Sequence, residues 1–180
     1  ISRKIKIRNG MKKLPSFFAP TSDVSYNQCQ LIGLVIMRVL IGWHFLYEGI
    51  AKLLNPYWSS AAYLLESKWI FSSLATTIVS NSTLLTFVDN INMWGLTLIG
   101  LTLTIGLVER PAAYVGMAMV LLYYLFMPPF VGYDYSVPTE GSYLLVNKNL
   151  IEAAALFVIA CFPSGGIIGI DKFLIPDSKH

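Results

Sequence analysis

The pattern of hydrophobic and polar residues divides the chain into four long apolar stretches separated by polar or Pro- and Gly-containing segments. These stretches cover residues 31–54, 91–108, 112–131 and 150–170. A helix that crosses the hydrocarbon core of a bilayer needs about 20 mostly apolar residues, and each stretch comes close to that length. The pattern therefore predicts an all-α integral membrane protein built as a bundle of four transmembrane helices.

The segment 55–90, between the first two stretches, is too interrupted by Ser and Thr to predict a further span. It mixes aromatic and aliphatic residues with one Glu–Lys pair, and Trp58 and Trp69 suit the headgroup level of a bilayer. We expect one or two interfacial helices on the outer face. The alternative is a re-entrant element that covers the mouth of the bundle and is shielded by protein.

Composition supports the membrane assignment. Hydrophobic residues make up 55% of the 180 positions and charged residues only 13%, with a mean hydropathy of +0.60. A soluble domain usually carries about a quarter charged residues. The chain also contains no nucleotide-binding glycine loop, no nucleophile elbow and no nucleic-acid signature.

Charge is concentrated at the start of the chain. Six of the 13 Lys and Arg lie in the first 13 residues, and a Pro-interrupted polar stretch follows them in place of a signal-peptide core. We therefore expect a basic tail over 1–27, a membrane domain over 28–175 and a short tail over 176–180. The positive-inside rule then predicts that both tails are cytoplasmic. The expected inner cations are the six tail residues, Arg110, Lys172 and Lys179, and the expected outer cations are Lys52, Lys68 and Lys148.

Four ionisable residues lie in the first predicted helix: Arg38, His44, Glu48 and Lys52. At about 100° per residue they fall within one arc of about 120°, so this face should point into the bundle rather than towards lipid. Their depths differ, because the helix runs from inside to outside. We expect Arg38 near the inner side, His44 near the middle, Glu48 in the outer half and Lys52 at the outer edge.

The second and fourth predicted helices both start at the outer side and place further polar residues at the same depth. These residues are Asp89, Asn92, Asn149 and Glu152. At the inner side, Glu109 or Asp171 is expected to pair with Arg38 as a structural charge anchor for the helix ends.

The outer polar residues have two interpretations. A carboxylate beside a histidine, partly shielded from water, suits proton uptake or release, which makes His44, Glu48 and Glu152 candidate catalytic groups. Alternatively, Glu48 simply neutralises Lys52, whose long side chain reaches the interface.

Metal, haem and thiol chemistry have weaker support. Cys29 and Cys161 are not in a CxxC motif, so a thiol relay is not predicted and no metal site is expected. His180 is terminal, which leaves one histidine in the predicted membrane domain and excludes a bis-His haem within one chain. A His–Met haem with Met117 or Met119 stays open.

Three stretches carry a family resemblance: RVLIGWHFLYEGIAKLLNP, VDNINMWGLTLIGLTLTIGLVERPAAYVG and NKNLIEAAALFVIACFPSGGIIGIDKFL. In this order they resemble the DoxX family of four-helix membrane proteins, in particular its DoxD-like branch, the small-subunit type of thiosulfate:quinone oxidoreductase. The resemblance implies a multi-pass subunit of the bacterial inner membrane that passes electrons from a periplasmic-side donor to quinone, alongside a partner subunit. The matching positions are Arg38, Lys52, Glu109, Glu152 and Asp171. Glu48 departs from the family pattern, in which a small or apolar residue is usual.

The leading hypothesis is therefore a membrane subunit of a quinone-linked oxidoreductase. His44 or Lys52 would hydrogen-bond a quinone carbonyl, Asn149 would help to bind it, and Trp94 or Tyr47 would pack on the ring. The first alternative is a non-enzymatic anchor or assembly subunit that contacts lipid and a protein partner or second copy. The other is a lipid or small-molecule carrier, for which matching broken helices are absent.

Overall fold

The computed structural model describes residues 5–6, 25–136 and 144–174. Apart from the antiparallel pairing of two-residue strands β1 (Ile5–Lys6) and β2 (Ser25–Tyr26), its regular structure is helical, as predicted. The helices are α1 (Gln28–Leu54), α2 (Ala61–Leu65), α3 (Ser72–Ser80), α4 (Ser82–Ile105), α5 (Glu109–Phe126), α6 (Lys148–Cys161) and α7 (Asp171–Leu174). Most of the expected basic tail and all of the tail 176–180 lie outside the described residues.

Two helices of the described part, α1 and α4, are long and apolar enough to cross a membrane. Both begin earlier than their apolar stretches, because side chains cap their first turns. In α1, the side-chain Oδ1 of Asn27 accepts from the Gln30 backbone N–H. In α4, the side-chain Oδ1 of Asn81 accepts from the backbone N–H groups of Thr83 and Leu84. The segment between α1 and α4 holds two short helices, α2 and α3, which agrees with the expected number of one or two helices between residues 55 and 90.

The last apolar stretch does not form one helix. α6 ends at Cys161, because the next residue precedes Pro163, and a residue before proline is disfavoured in the helical conformation. The helix expected over 150–170 therefore ends earlier than predicted, and the chain turns through residues 163–170, which begin with the sequence PSGG, before α7. α5 likewise ends at Phe126, ahead of the Pro128–Pro129 pair, and not at residue 131.

Helices α1 and α4 run antiparallel and pack through glycines. A Cβ at Gly42 would lie 2.7 Å from the Thr104 backbone nitrogen, and one at Gly100 would meet the backbone of Leu46. Such close approach requires small residues at the contact, as in many membrane helix pairs. Gly100 and Gly42 therefore allow the backbones of α1 and α4 to approach closely.

The four longest helices, α1, α4, α5 and α6, surround one apolar core. Its largest fully buried members include Phe45, Leu103, Leu156 and Ile159. The core separates two polar regions. One, the cavity end, lies where α1 ends and α6 begins, and the other, the Arg38 end, lies where α4 ends and α5 begins.

Candidate functional site

A cavity of about 400 Å³ lies at the cavity end of the four helices. Its volume falls within the range of small-molecule sites, roughly 300–1,000 Å³. Its polar wall consists of His44, Glu48, Lys52, Asn147, Lys148, Asn149 and Glu152. Its remaining wall is aromatic and aliphatic: Phe45, Tyr63, Leu96, Val120, Tyr123, Met127, Pro129, Phe130, Tyr133 and Tyr135.

The structure brings together five of the residues singled out from the sequence: His44, Glu48, Lys52, Asn149 and Glu152. His44 Nε2 lies 3.8 Å from Glu152 Oε1, and Lys52 Nζ donates to Glu48 Oε2 at 3.0 Å. Each acid therefore has a cationic or potentially cationic neighbour, and the cavity combines proton donors and acceptors with a balanced charge.

Tyr47 and Trp94, expected to pack on a ligand ring, do not line the cavity. Their side chains are 65% and 53% exposed. A helical step turns the chain by about 100°, so Tyr47 points away from the face that carries Glu48, and Trp94 lies about 200° from the cavity-lining Leu96. The two aromatic side chains that were expected to pack on a ligand ring therefore lie outside the wall of this cavity.

Two further polar residues expected at this depth lie just outside the cavity lining. Asp89 Oδ1 accepts from the backbone N–H and the hydroxyl of Ser60 at 2.9 and 2.5 Å, which ties α4 to the start of α2. Asn92 Nδ2 donates to the Tyr123 hydroxyl oxygen at 2.7 Å. Asp89 and Asn92 thus support the walls of the cavity.

The aromatic wall was missed by sequence reasoning. Its rings come from α1, which contributes Phe45, from α2, from α5 and from the chain after α5, which contributes Phe130, Tyr133 and Tyr135. The aromatic run FMPPFVGYDY was the available signal, but its first half was assigned to a transmembrane helix. Because α5 ends at Phe126, the run is free to fold over the cavity.

Hydrogen bonds hold this segment, residues 128–136, against the α2–α3 region. Glu66 Oε2 accepts from the Ser136 backbone N–H at 3.1 Å, and Lys68 Nζ donates to the Asp134 carbonyl. Lys68 also lies over the Tyr135 ring, 5.3 Å from its centroid. We call residues 128–136 the aromatic loop. The hydrogen bond from the Ser136 backbone lowers the pKa of the Glu66 carboxyl below its usual 4.5.

Burial favours the neutral form of two phenols in the aromatic wall, those of Tyr63 and Tyr135. Desolvation raises the pKa of the Tyr63 phenol, and it also raises the pKa of the Tyr135 phenol. The Tyr63 hydroxyl donates to the Tyr123 carbonyl at 2.7 Å, and the Tyr135 hydroxyl donates to the Pro128 carbonyl at 2.8 Å. Both hydroxyl protons are therefore donated to backbone carbonyls, and these bonds position the rings of the wall.

The Arg38 end carries a buried ion pair. Arg38 Nη1 lies 3.3 Å from Glu109 Oε2, which confirms the first of the two pairings considered for Arg38. The same nitrogen donates to Ser164 Oγ at 2.8 Å, and Nη2 donates to the Ile168 carbonyl at 2.8 Å. Glu109 also accepts from the backbone N–H groups of Ser164 and Gly165. Multiple hydrogen bonds of this kind are what a buried charge pair needs.

Asp171 has a different partner from the one considered for it. Its carboxylate accepts from the backbone N–H of Val108 at 2.9 Å and of Glu109 at 3.4 Å, so it caps the start of α5. Gly165 lies within this arrangement, since a Cβ there would come 2.8 Å from Glu109 Oε2 and 2.9 Å from the Gly106 carbonyl. Arg38, Glu109 and Asp171 thus join α1 and the start of α5 to the chain after α6.

The geometry separates a structural region from a candidate binding site. The Arg38 end is closely packed, whereas the cavity end offers volume, aromatic walls and titratable groups. Within the described residues no group of three or more His, Cys, Asp or Glu side chains could hold a metal ion. Comparison with models of known protein families, with curated proteins and with solved structures found no match.

Proposed function

We propose that α1, α4, α5 and α6 cross a membrane as a four-helix bundle, and that the cavity binds the headgroup of a quinone. In this proposal the chain is the membrane subunit of a quinone-linked oxidoreductase of the bacterial inner membrane, and a periplasmic-side donor on a partner subunit supplies electrons. The resemblance to the DoxX family supports the same proposal. The single observation that carries the proposed quinone binding is the cavity, which places paired acids and a histidine beside aromatic walls.

Exposed apolar side chains support a lipid-facing surface on all four helices. They include Leu40 and Ile50 on α1, Leu98 and Leu101 on α4, Val115 and Leu122 on α5, and Ile151 and Phe157 on α6. α6 has 14 residues at about 1.5 Å each, so it is the shortest of the four helices and is shorter than the hydrocarbon core. Exposed apolar residues beyond its two ends, such as Leu145 and Phe162, lengthen the apolar band.

The chemistry of the cavity residues fits a quinone headgroup. A bound quinone would supply a two-electron acceptor whose reduction also consumes two protons. Lys52 and His44 provide N–H donors for a carbonyl oxygen, and Glu48 and Glu152 can hold and release protons beside them. The aromatic rings of Phe45 and the aromatic loop provide flat apolar contact for a ring.

Binding is the direct test. The purified full chain in lipid nanodiscs is titrated with decylubiquinone and with a short-chain menaquinone, and binding is followed by isothermal calorimetry. We expect saturable binding of at least one of them, weakened in Glu152→Ala and His44→Ala. Leu98→Ala, which removes a lipid-facing side chain of α4, serves as the control. If neither quinone binds saturably to the unaltered protein, the proposal is overturned.

Topology is tested separately with single cysteines. Cys29 and Cys161, both unpaired, are replaced by Ser, and one cysteine is introduced at Ser59, Val108 or Leu144, which are all exposed. We expect an impermeant maleimide to label positions 59 and 144 in spheroplasts, and position 108 only after permeabilisation. Labelling of all three positions from the same side would exclude the four-span arrangement.

One observation favours an assembly subunit as the second candidate. The α2–α3 region exposes several large apolar side chains, including Leu65, Ile70 and Leu74. An exposed apolar group of this kind suits a protein partner as well as a bilayer surface. Native mass spectrometry from nanodiscs distinguishes an assembly subunit from a quinone-binding subunit. A stoichiometric partner that is lost in Ile70→Asp, without any bound quinone, would support assembly in place of redox chemistry.

A further inference from the structure

The hydroxyl groups of the cavity tyrosines Tyr63, Tyr123 and Tyr135 differ in their hydrogen-bond partners. The hydroxyls of Tyr63 and Tyr135 donate to backbone carbonyls, as described above. The Tyr123 hydroxyl is the acceptor of its bond with Asn92, whose Nδ2 donates to it at 2.7 Å. No described residue accepts the Tyr123 proton. Tyr123 therefore brings to the cavity a hydrogen-bond donor that is not already used within the described protein.

The setting of Asn92 fixes this role. Its Oδ1 is buried without a hydrogen-bond partner among the described residues, so its contact with Tyr123 is what holds the amide. A phenol has one proton to donate, and its oxygen already receives the amide N–H. The natural partner for the remaining proton is an acceptor that enters the cavity.

We propose that Tyr123 donates its hydroxyl proton to a ring carbonyl oxygen of the bound quinone. This inference rests on the proposed function. A quinone carbonyl oxygen only accepts hydrogen bonds, so it matches an O–H donor that no described residue uses.

The test measures quinone affinity on conservative variants. Decylubiquinone is titrated into the full chain and into Tyr123→Phe in nanodiscs. We expect Tyr123→Phe to bind it about 3- to 10-fold more weakly than the unaltered protein does, as the loss of one neutral hydrogen bond implies.

Tyr124→Phe is the matched control. Tyr124 is the neighbour of Tyr123 in α5, does not line the cavity, and donates its hydroxyl to the Leu145 carbonyl at 2.7 Å. We expect it to leave the affinity for decylubiquinone unchanged. Asn92→Asp tests the same hydrogen bond from the other residue. A carboxylate at position 92 would accept the Tyr123 proton, which would then not be available to the ligand. This variant should reproduce the loss seen for Tyr123→Phe.

A spectroscopic readout separates hydrogen bonding from a structural effect. Infrared difference spectra of bound quinone labelled with ¹³C at its carbonyls should show a carbonyl band shifted to lower frequency in the unaltered protein. The shift should be absent in Tyr123→Phe and present in Tyr124→Phe. Quinone binding with equal affinity and equal carbonyl frequency in Tyr123→Phe would overturn this inference alone. Absence of binding to the unaltered protein would overturn the proposed function and this inference with it.

Discussion

Arg38 and Glu109 form an ion pair across the fold, with Arg38 Nη1 3.3 Å from Glu109 Oε2 and side chains only 3% and 2% exposed. Removing one partner of such a pair leaves the other charge buried without compensation, which typically costs about 3–5 kcal/mol. We therefore expect Arg38→Met to lower the free energy of unfolding by roughly that amount. Thermal unfolding in detergent measures it. Lys172→Met, which removes an exposed cation from the same end, should change little, and equal stability of the two variants would contradict the prediction.

The α1–α4 contact predicts opposite effects for two glycine substitutions. A Cβ at Gly100 would meet the backbone of Leu46, which cannot move aside as a side chain can, whereas nothing lies within 4 Å of a Cβ at Gly33. Gly33→Ala should be neutral or stabilising by up to about 1 kcal/mol, because alanine favours the helix. Gly100→Ala should destabilise by about 1–3 kcal/mol through overpacking. Thermal unfolding of both variants decides this, and equal melting temperatures would rule out the close contact.

The exposed positions of Tyr47 and Trp94 predict that neither contributes to ligand binding. Tyr47→Leu and Trp94→Leu should bind decylubiquinone as the unaltered protein does. Phe45→Ala, which removes a buried ring of the cavity wall, should weaken binding severalfold because its apolar contact is lost. Calorimetric titrations in nanodiscs provide the comparison. Weaker binding in Trp94→Leu than in Phe45→Ala would mean that the ligand lies on the lipid-facing side of α4.

The contact between Glu66 and Ser136 predicts that the aromatic loop loosens in acid. The pKa of Glu66 is lowered when the loop is bound, so the stabilisation is complete above the usual carboxyl value of 4.5 and is lost as pH falls through the lowered pKa. Hydrogen exchange of residues 130–136, corrected for intrinsic rates, should show protection that decreases below about pH 4.5. Amides in the middle of α5 serve as the internal reference.

Glu66→Ala provides the complementary measurement on the same loop. It should show low protection of residues 130–136 at every pH, since both the charge and the acceptor are gone. Protection in the unaltered protein that stays constant between pH 3 and pH 7, or that falls equally in the variant, would show that another contact holds the loop.

Local pattern alone was enough for the helical class, for the face shared by His44, Glu48 and Lys52, and for the partnership of Arg38 with Glu109. Helical periodicity depends only on residues a few positions apart, and a buried cation needs an anion from one of the few places that carry one. The approach of His44 to Glu152 also followed, because both residues lie towards the same end of their helices.

Where α5 and α6 end is also a local property, because prolines set both ends and the apolar pattern alone does not take them into account. Other features depended on tertiary structure. The early end of α5 permits the aromatic loop to cover the cavity, but its contacts with the α2–α3 region hold it there. Tyr123 could not be singled out from the sequence, since the direction of its proton depends on Asn92 of a different helix. The amino-acid sequence thus determined which parts of the chain are helical and which residues carry charge, because both are local properties. Only the packing of α2, α4, α5 and the aromatic loop decided which side chains share the cavity, because that depends on contacts between residues far apart in the chain.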